Sequence, residues 1–195
     1  MSFLTPAENL PLLRFDDLVI RTATLDDMNS IYTMGYDAWG DGLELNKYLF
    51  SCNNSEKYKK GTWYILEERN CILSSIICYS LPSIYDISTI GIGSLSTVSD
   101  KRRNGFARIL LDAVKKEYCN QFKTRAFILY SDINPDYYKL SGFEPLPGFL
   151  QKKKDTTCMV NCNDIDMKTI IKNFRKKLRK SGKATQSKSQ STHQS

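Results

Sequence analysis

Thr89-Ile-Gly-Ile-Gly-Ser-Leu-Ser-Thr-Val98, Ser99-Asp-Lys-Arg102 and Arg103-Asn-Gly-Phe-Ala107 lead into Arg108-Ile-Leu-Leu-Asp-Ala-Val-Lys-Lys-Glu-Tyr118. They read as an extended segment, a polar turn and a helix. The helix follows from its period: Phe106, Ile109, Leu110, Ala113, Val114 and Tyr118 recur at helical spacing and form one apolar stripe. Strand, turn, helix is a layout that points free backbone N–H groups at an anion, and the helix dipole adds attraction. Gly105 lets the backbone approach that anion closely, because no side chain stands in the way.

Spacing limits which anion this is. The P-loop pattern needs Gly-Lys followed by Ser or Thr, and the chain has no such tripeptide. The dinucleotide pattern needs a third glycine after Gly91 and Gly93, and Ser96 stands there instead. What does occur is Arg102-x-x-Gly105-x-Ala107 directly after a strand. Further on, Arg125-Ala-Phe-Ile-Leu-Tyr130 reads as a buried strand, followed by a polar stretch and Tyr138-Lys-Leu-Ser-Gly142-Phe143. In this order the two motifs resemble the GNAT N-acetyltransferase superfamily, whose acetyl-CoA signature is Arg/Gln-x-x-Gly-x-Gly/Ala, with a later Tyr-x-x-x-Gly-Phe segment. The resemblance spans roughly residues 18–160, with its specific part at 89–144.

The resemblance carries a set of expectations. It implies an α/β (α+β) fold with a mixed, mainly antiparallel central sheet of about six or seven strands and helices on both faces. It implies acetyl-CoA as cosubstrate, no metal, and transfer to a primary amine by direct attack in a ternary complex. Backbone groups from Leu95 through Thr97 and Val98 would hold the pantetheine arm. The N–H groups of Arg103, Asn104, Gly105, Phe106 and Ala107 would hold the pyrophosphate, and Arg102 and Arg108 would add charged contacts. Asn134 would bond the CoA arm. Tyr138 would act as general acid toward the departing sulfur, since a phenol of pKa about 10 is protonated at neutral pH. Asp37 and Trp39, with Asp41 and Glu44 nearby, fall where the family builds acceptor pockets, and an acidic, aromatic rim suits a cationic amine. No acid lies between residues 89 and 99, so the general base stays open among Asp132, Glu144, Asp86 and Asp37. A small amine or amino acid is favoured over a protein as acceptor. The alternative from a different class is a catalytically weak CoA-binding module that regulates or tethers through its basic C-terminal tail.

Composition bounds the rest. At 195 residues the chain suits one domain with a sizeable core. No apolar run reaches the roughly 18 residues a membrane span needs, and the start reads as no secretory signal, so the expected compartment is the cytoplasm. The six cysteines form no C-x-x-C pair, as suits reduced thiols. The single histidine is His193, which argues against a Ser-His-Asp triad and a His-built metal site. From Lys168 onward there are nine basic residues and no acid, so residues 1–167 are near −2 and the tail carries +9.

In chain order, residues 1–16 read as an irregular arm and 17–163 as the acetyltransferase domain. Within it, Leu18–Arg21 is a strand, Thr24 caps a first helix and Leu43–Cys52 is a second helix. Asn53–Gly61 reads as loop, Thr62–Glu67 and Ile72–Tyr79 as a hairpin, Ser80–Ser88 as a Pro-containing loop and Thr156–Asn161 as a last strand. Residues 164–181 read as a helix capped by Asp164. Met167, Ile170, Ile171, Phe174 and Leu178 lie on one face, and Lys172, Arg175, Lys176, Arg179 and Lys180 on the other. That stripe suits packing on the domain or on a second copy in a homodimer, and the basic face suits an anionic lipid or nucleic acid. Residues 182–195 read as a disordered tail.

Overall fold

The computed structural model describes residues 4–84, 87–151 and 153–176. A nine-stranded sheet forms its centre. The strands are β1 (Thr5–Pro6), β2 (Leu13–Phe15), β3 (Leu18–Thr22), β4 (Thr62–Glu68), β5 (Cys71–Ile84), β6 (Ile87–Thr97), β7 (Ala126–Ser131), β8 (Glu144–Pro145) and β9 (Thr157–Cys162). Their order across the sheet is β2-β3-β4-β5-β6-β7-β9-β8, with β1 paired to β5. Every pairing is antiparallel except β6 with β7, which run parallel from Thr89 opposite Ala126 to Ile92 opposite Leu129. Arg69 and Asn70 both sit at positive φ and close the β4–β5 hairpin as a two-residue turn, a geometry that Asn tolerates.

Strand alternation sends side chains to two helical layers. On one face Tyr64, Leu66, Ile76 and Cys78 pack against α5 (Phe106–Phe122) through Leu110, Leu111, Val114 and Tyr118. On the other, Trp63, Ile65, Ile77 and Tyr79 pack against α1 (Met28–Met34) and α3 (Leu45–Asn53) through Ile31, Tyr32, Met34, Tyr48 and Cys52. Two short helices lie between these elements, α2 (Tyr36–Trp39) and α4 (Glu56–Lys59). Another short one, α6 (Asp136–Lys139), precedes Phe143. The buried face of α5 is rotated relative to the expected stripe: Leu111 is fully buried, while Ile109 is exposed. Each fully buried Leu or Val there contributes about 1.5–3 kcal/mol.

Several expectations are corrected. The arm is not irregular throughout, since β1 and β2 join the sheet and Ala7 and Leu10 are buried. Two core phenols hold the arm: the hydroxyls of Tyr64 and Tyr118 both lie 2.7 Å from the Glu8 carbonyl oxygen. The supposed loop at 80–88 is mostly strand, because β5 extends to Ile84 and β6 begins at Ile87. Pro82 is tolerated where β5 has outrun β4, so its missing N–H breaks no pairing with that strand. The loop at 53–61 contains α4, capped by Ser55, whose Oγ accepts from the Tyr58 N–H. The last helix, α7, covers 167–176 of the described residues. Its cap is Asp166, which accepts from the Thr169 N–H at 2.7 Å, and not Asp164, which turns at positive φ. Ile170, Met167, Ile171 and Phe174 pack on the domain beside Ile128 and Val160, so the stripe is covered by the chain's own sheet. Leu178, Arg179, Lys180 and the tail 182–195 lie outside the described residues.

A charged cluster pins β3 and β4 to the start of α1. The Arg21 guanidinium donates to Asp27 at 2.7 and 3.0 Å and to Glu67 at 3.1 Å, and Asp27 also accepts from the Thr24 N–H and hydroxyl. The Arg21 bonds hold the Asp27 carboxyl down at about 2 against the cost of burial. A depressed folded-state pKa stabilises above the unfolded value and loses that contribution as pH falls through the folded one. Asp27→Asn should lower stability at neutral pH. Between pH 4 and pH 2 the wild type should then lose about 2 kcal/mol more than this variant, as read by urea unfolding across that window.

Candidate active site

The site begins where two strands part. β6 and β7 pair only to Ile92 and Leu129, after which β7 continues with β9 to Ser131 and β6 continues with β5 to Thr97. A bulge drives the separation: Ser94 and Leu95 intervene between the β6 residues facing Ile77 and Ser75, and Ser94 takes φ 43. An extra residue on one strand bends it and increases its twist. The Ser75 and Ser96 hydroxyls, 3.0 Å apart, hold the strand beyond the bulge. The opening becomes a cleft of about 1270 Å³ running from α5 across β6 to α2 and α4.

At one end is the turn into α5. None of the six consecutive N–H groups from Arg103 to Arg108 donates a hydrogen bond among the described residues, and the helix ladder starts with the Ile109 N–H on the Gly105 carbonyl at 2.9 Å. Helix starts leave such donors free. Here Arg103 (φ 66) and Gly105 (φ 84) are left-handed, which curls the amides into a concave set suited to an anion. The space where a Cβ on Gly105 would sit is open, so glycine serves the backbone angle and leaves the approach clear. Asn104 braces the turn, its Nδ2 donating to the Lys101 carbonyl at 3.0 Å. Arg103 and Arg108 are exposed beside it.

Arg102 is placed otherwise than expected. Its Nε donates to the Thr97 carbonyl at 3.1 Å, one Nη to the Met34 carbonyl at 3.3 Å, and both Nη atoms to Asp37, one at 2.9 Å. The guanidinium thus ties β6 to α1 and α2. Its hydrogen bonds hold Asp37 below the usual carboxylate range.

Tyr138 lies on α6 with its ring against Tyr137 and Phe143, and lines the cleft. Its hydroxyl has no hydrogen-bond partner among the described residues. Burial first, and then the charge of Asp132, push its pKa up, so it is protonated at neutral pH. Gly142 at φ 76 closes the turn behind it, where the Asn161 Nδ2 donates to the Gly142 carbonyl at 2.7 Å.

Of the residues expected in the site, Leu95, Thr97, Arg102 to Arg108, Trp39 and Tyr138 line the cleft. Three turn elsewhere. The Val98 N–H is spent on the Leu73 carbonyl and its side chain packs with the α1 layer. Asn134, just before α6, is exposed, and its Oδ1 accepts from the Asp136 N–H. Asp37 is held by Arg102. The expected acidic rim is not there either: Glu44 pairs with Lys47, and Asp132 is the single carboxylate among the cleft-lining residues. Asp132 accepts from the Trp39 Nε1 at 3.1 Å, linking α2 to the end of β7. Lys57, Tyr58, Tyr79, Tyr130 and Lys153 also line the cleft, as does Leu4 from the arm. Spacing alone could not find these, because they come from separate parts of the chain. Among the described residues, no group of three or more His, Cys, Asp or Glu could hold a metal ion.

The overall fold is shared with solved acetyltransferases, one of them described as of the GNAT family. Three solved structures show it. A GNAT-family acetyltransferase from Staphylococcus aureus matches with a TM-score of 0.56 and 12% identity over 74% of this chain and 98% of its own. The PaiA N-acetyltransferase of Thermoplasma acidophilum, solved with coenzyme A, gives 0.56 at 13% identity, covering 75% of this chain and 99% of its own. An acetyltransferase from Streptococcus agalactiae gives 0.53 at 15%, covering 76% and 100%. In sequence, the chain matches no protein-family model and no curated protein.

The Arg102–Asp37 pair gives a direct test. Arg102→Gln and Asp37→Asn should each lower the melting temperature, and the double variant should cost less than the sum, with a coupling of roughly 0.5–1 kcal/mol for a pair this exposed.

Proposed function

We propose that the chain is an acetyl-CoA-dependent N-acetyltransferase that acetylates a primary amine in a ternary complex. The observation that carries this is the run of six unpartnered N–H groups from Arg103 to Arg108 at the end of a cleft opened by parting strands. Those amides would hold the pyrophosphate, with Arg103 and Arg108 adding charge. The backbone of Leu95 to Thr97 would hold the pantetheine arm. Acetyl-CoA supplies a thioester carbonyl that an amine can attack.

The chain's own groups manage the protons. An alkylammonium of pKa about 10 has no lone pair, so it must lose a proton before attack. Asp132 is the carboxylate placed to accept it, directly or through water, and Trp39 fixes its orientation. Tyr138 gives its hydroxyl proton to the departing sulfur. Burial keeps that proton on the phenol until the thiolate develops. The reading of a CoA-binding module that works through the basic tail would apply if the cleft binds CoA without turnover.

Acetyl-CoA should raise the melting temperature by mass action, and Gly105→Val should remove that shift, because its side chain both strains φ 84 and enters the approach. Tyr138→Phe should keep the shift and lower turnover about 10²-fold. Absence of a shift at millimolar acetyl-CoA overturns the reading. A shift without acetylation across a broad amine screen leaves the binding module.

A further inference from the structure

The end of the cleft away from α5 has a charge pattern of its own. Lys57 on α4 and Lys153 before β9 both line it, exposed, and neither is ion-paired to a carboxylate among the described residues. Aromatic rings orient both ammonium groups: Lys153 lies 5.1 Å from the centre of the Tyr130 ring and Lys57 lies 6.0 Å from that of Tyr58. Burial first, and then Lys153, lower the Lys57 pKa, and Asp132 partly offsets this. Two further groups line the same cleft with their polar atoms unsatisfied. The Tyr79 hydroxyl and the Thr156 Oγ1 are buried and have no hydrogen-bond partner among the described residues, and Tyr79 as a residue is 3% exposed. Buried polar atoms without partners are costly and point to a group that completes them.

From this arrangement we infer that the acceptor carries a compact anionic oxygen group as well as its amine, with Lys57 and Lys153 holding the anion while Asp132 faces the amine. The inference rests on the acetyl-transfer reading of the cleft. A purely cationic acceptor such as a diamine would meet one carboxylate and two ammonium groups. A zwitterion meets complementary charge at both ends. An α-amino acid and an aminoalkyl phosphate share this chemistry.

The test uses matched pairs on the full chain with coenzyme A bound: L-lysine against cadaverine, L-phenylalanine against phenethylamine, and phosphoethanolamine against ethanolamine. Thermal shift reads binding, and thiol release with acetyl-CoA reads turnover. The anionic member of at least one pair should bind and react in preference to its neutral or cationic counterpart. Preference within the first two pairs identifies a carboxylate, and preference within the third a phosphate. Lys57→Met and Lys153→Met should raise KM for that acceptor roughly tenfold or more, as expected for loss of a charged hydrogen bond, with kcat little changed and the acetyl-CoA shift intact. Equal use of both members, preference for the decarboxylated amines, or no response to any pair while acetyl-CoA still binds overturns this inference alone. Loss of the acetyl-CoA shift in either Lys variant assigns the lysines to CoA and also overturns it. No acetyl-CoA shift in the wild type sinks the transfer reading beneath it.

Discussion

Two parallel strands that stay hydrogen-bonded for only four residue pairs set the geometry on which everything else depends. From Thr89–Ala126 to Ile92–Leu129 the sheet is continuous, and beyond that it forks. Parallel neighbours need a crossover, and α5 supplies it, so the fork and the helix start come from the same connection. The bulge at Ser94 and Leu95 turns β6 aside without breaking its hold on β5. The sheet therefore keeps its core on both faces while exposing unpaired strand backbone along one line. That line ends at the amides of Arg103 to Arg108, so one cleft presents main-chain groups for an extended arm and for an anion in sequence.

Charge in this region divides between holding and binding. Arg102 looks from sequence like a phosphate contact, yet its donors are used on Thr97, Met34 and Asp37. It fixes α1 and α2 relative to the fork, which sets where Trp39 can stand. Trp39 in turn orients Asp132 across the cleft. The backbone N–H groups from Arg103 to Arg108 are left without partners among the described residues, with the exposed Arg103 and Arg108 beside them. Amides cannot swing away as long side chains can, and placing them costs no side-chain entropy when a ligand arrives.

Local pattern was legible where the chain speaks to itself. The helical period of 106–118, the anion turn, the β4–β5 hairpin and the turn at Gly142 all rest on neighbours within a few residues. The place of Tyr138 beside Phe143 follows from the same short segment. What escaped was set by contacts far apart in sequence. The arm reads as irregular because strands of two and three residues carry no period, and its order comes from Tyr64 and Tyr118, 56 and 110 residues from Glu8. The rotation that buries Leu111 and exposes Ile109 depends on which part of the sheet α5 meets. Asp37 reads as a free carboxylate because its partner is 65 residues away. Lys57 and Lys153 sit in polar stretches that look like ordinary surface until the fork brings them to one cleft.

The first strand has a consequence for local opening. β1 continues the row begun by β4 along the edge of β5, pairing Thr5 with Ser80 and Pro6 with Tyr79, and Leu4 lines the cleft. Thr5 and Ser80 are 75 residues apart, so this pairing closes a far longer loop than the two-residue turn between β4 and β5. Two residue pairs and a clamp on the Glu8 carbonyl make this one of the thinnest attachments to the sheet. A chain in which only the arm has lifted would lose Ala7 and Leu10 from the core cluster and Leu4 from the cleft lining, while the turn into α5 stays as it is. Local opening of this arm would thereby alter the lining of the cleft at a free energy below that of global unfolding.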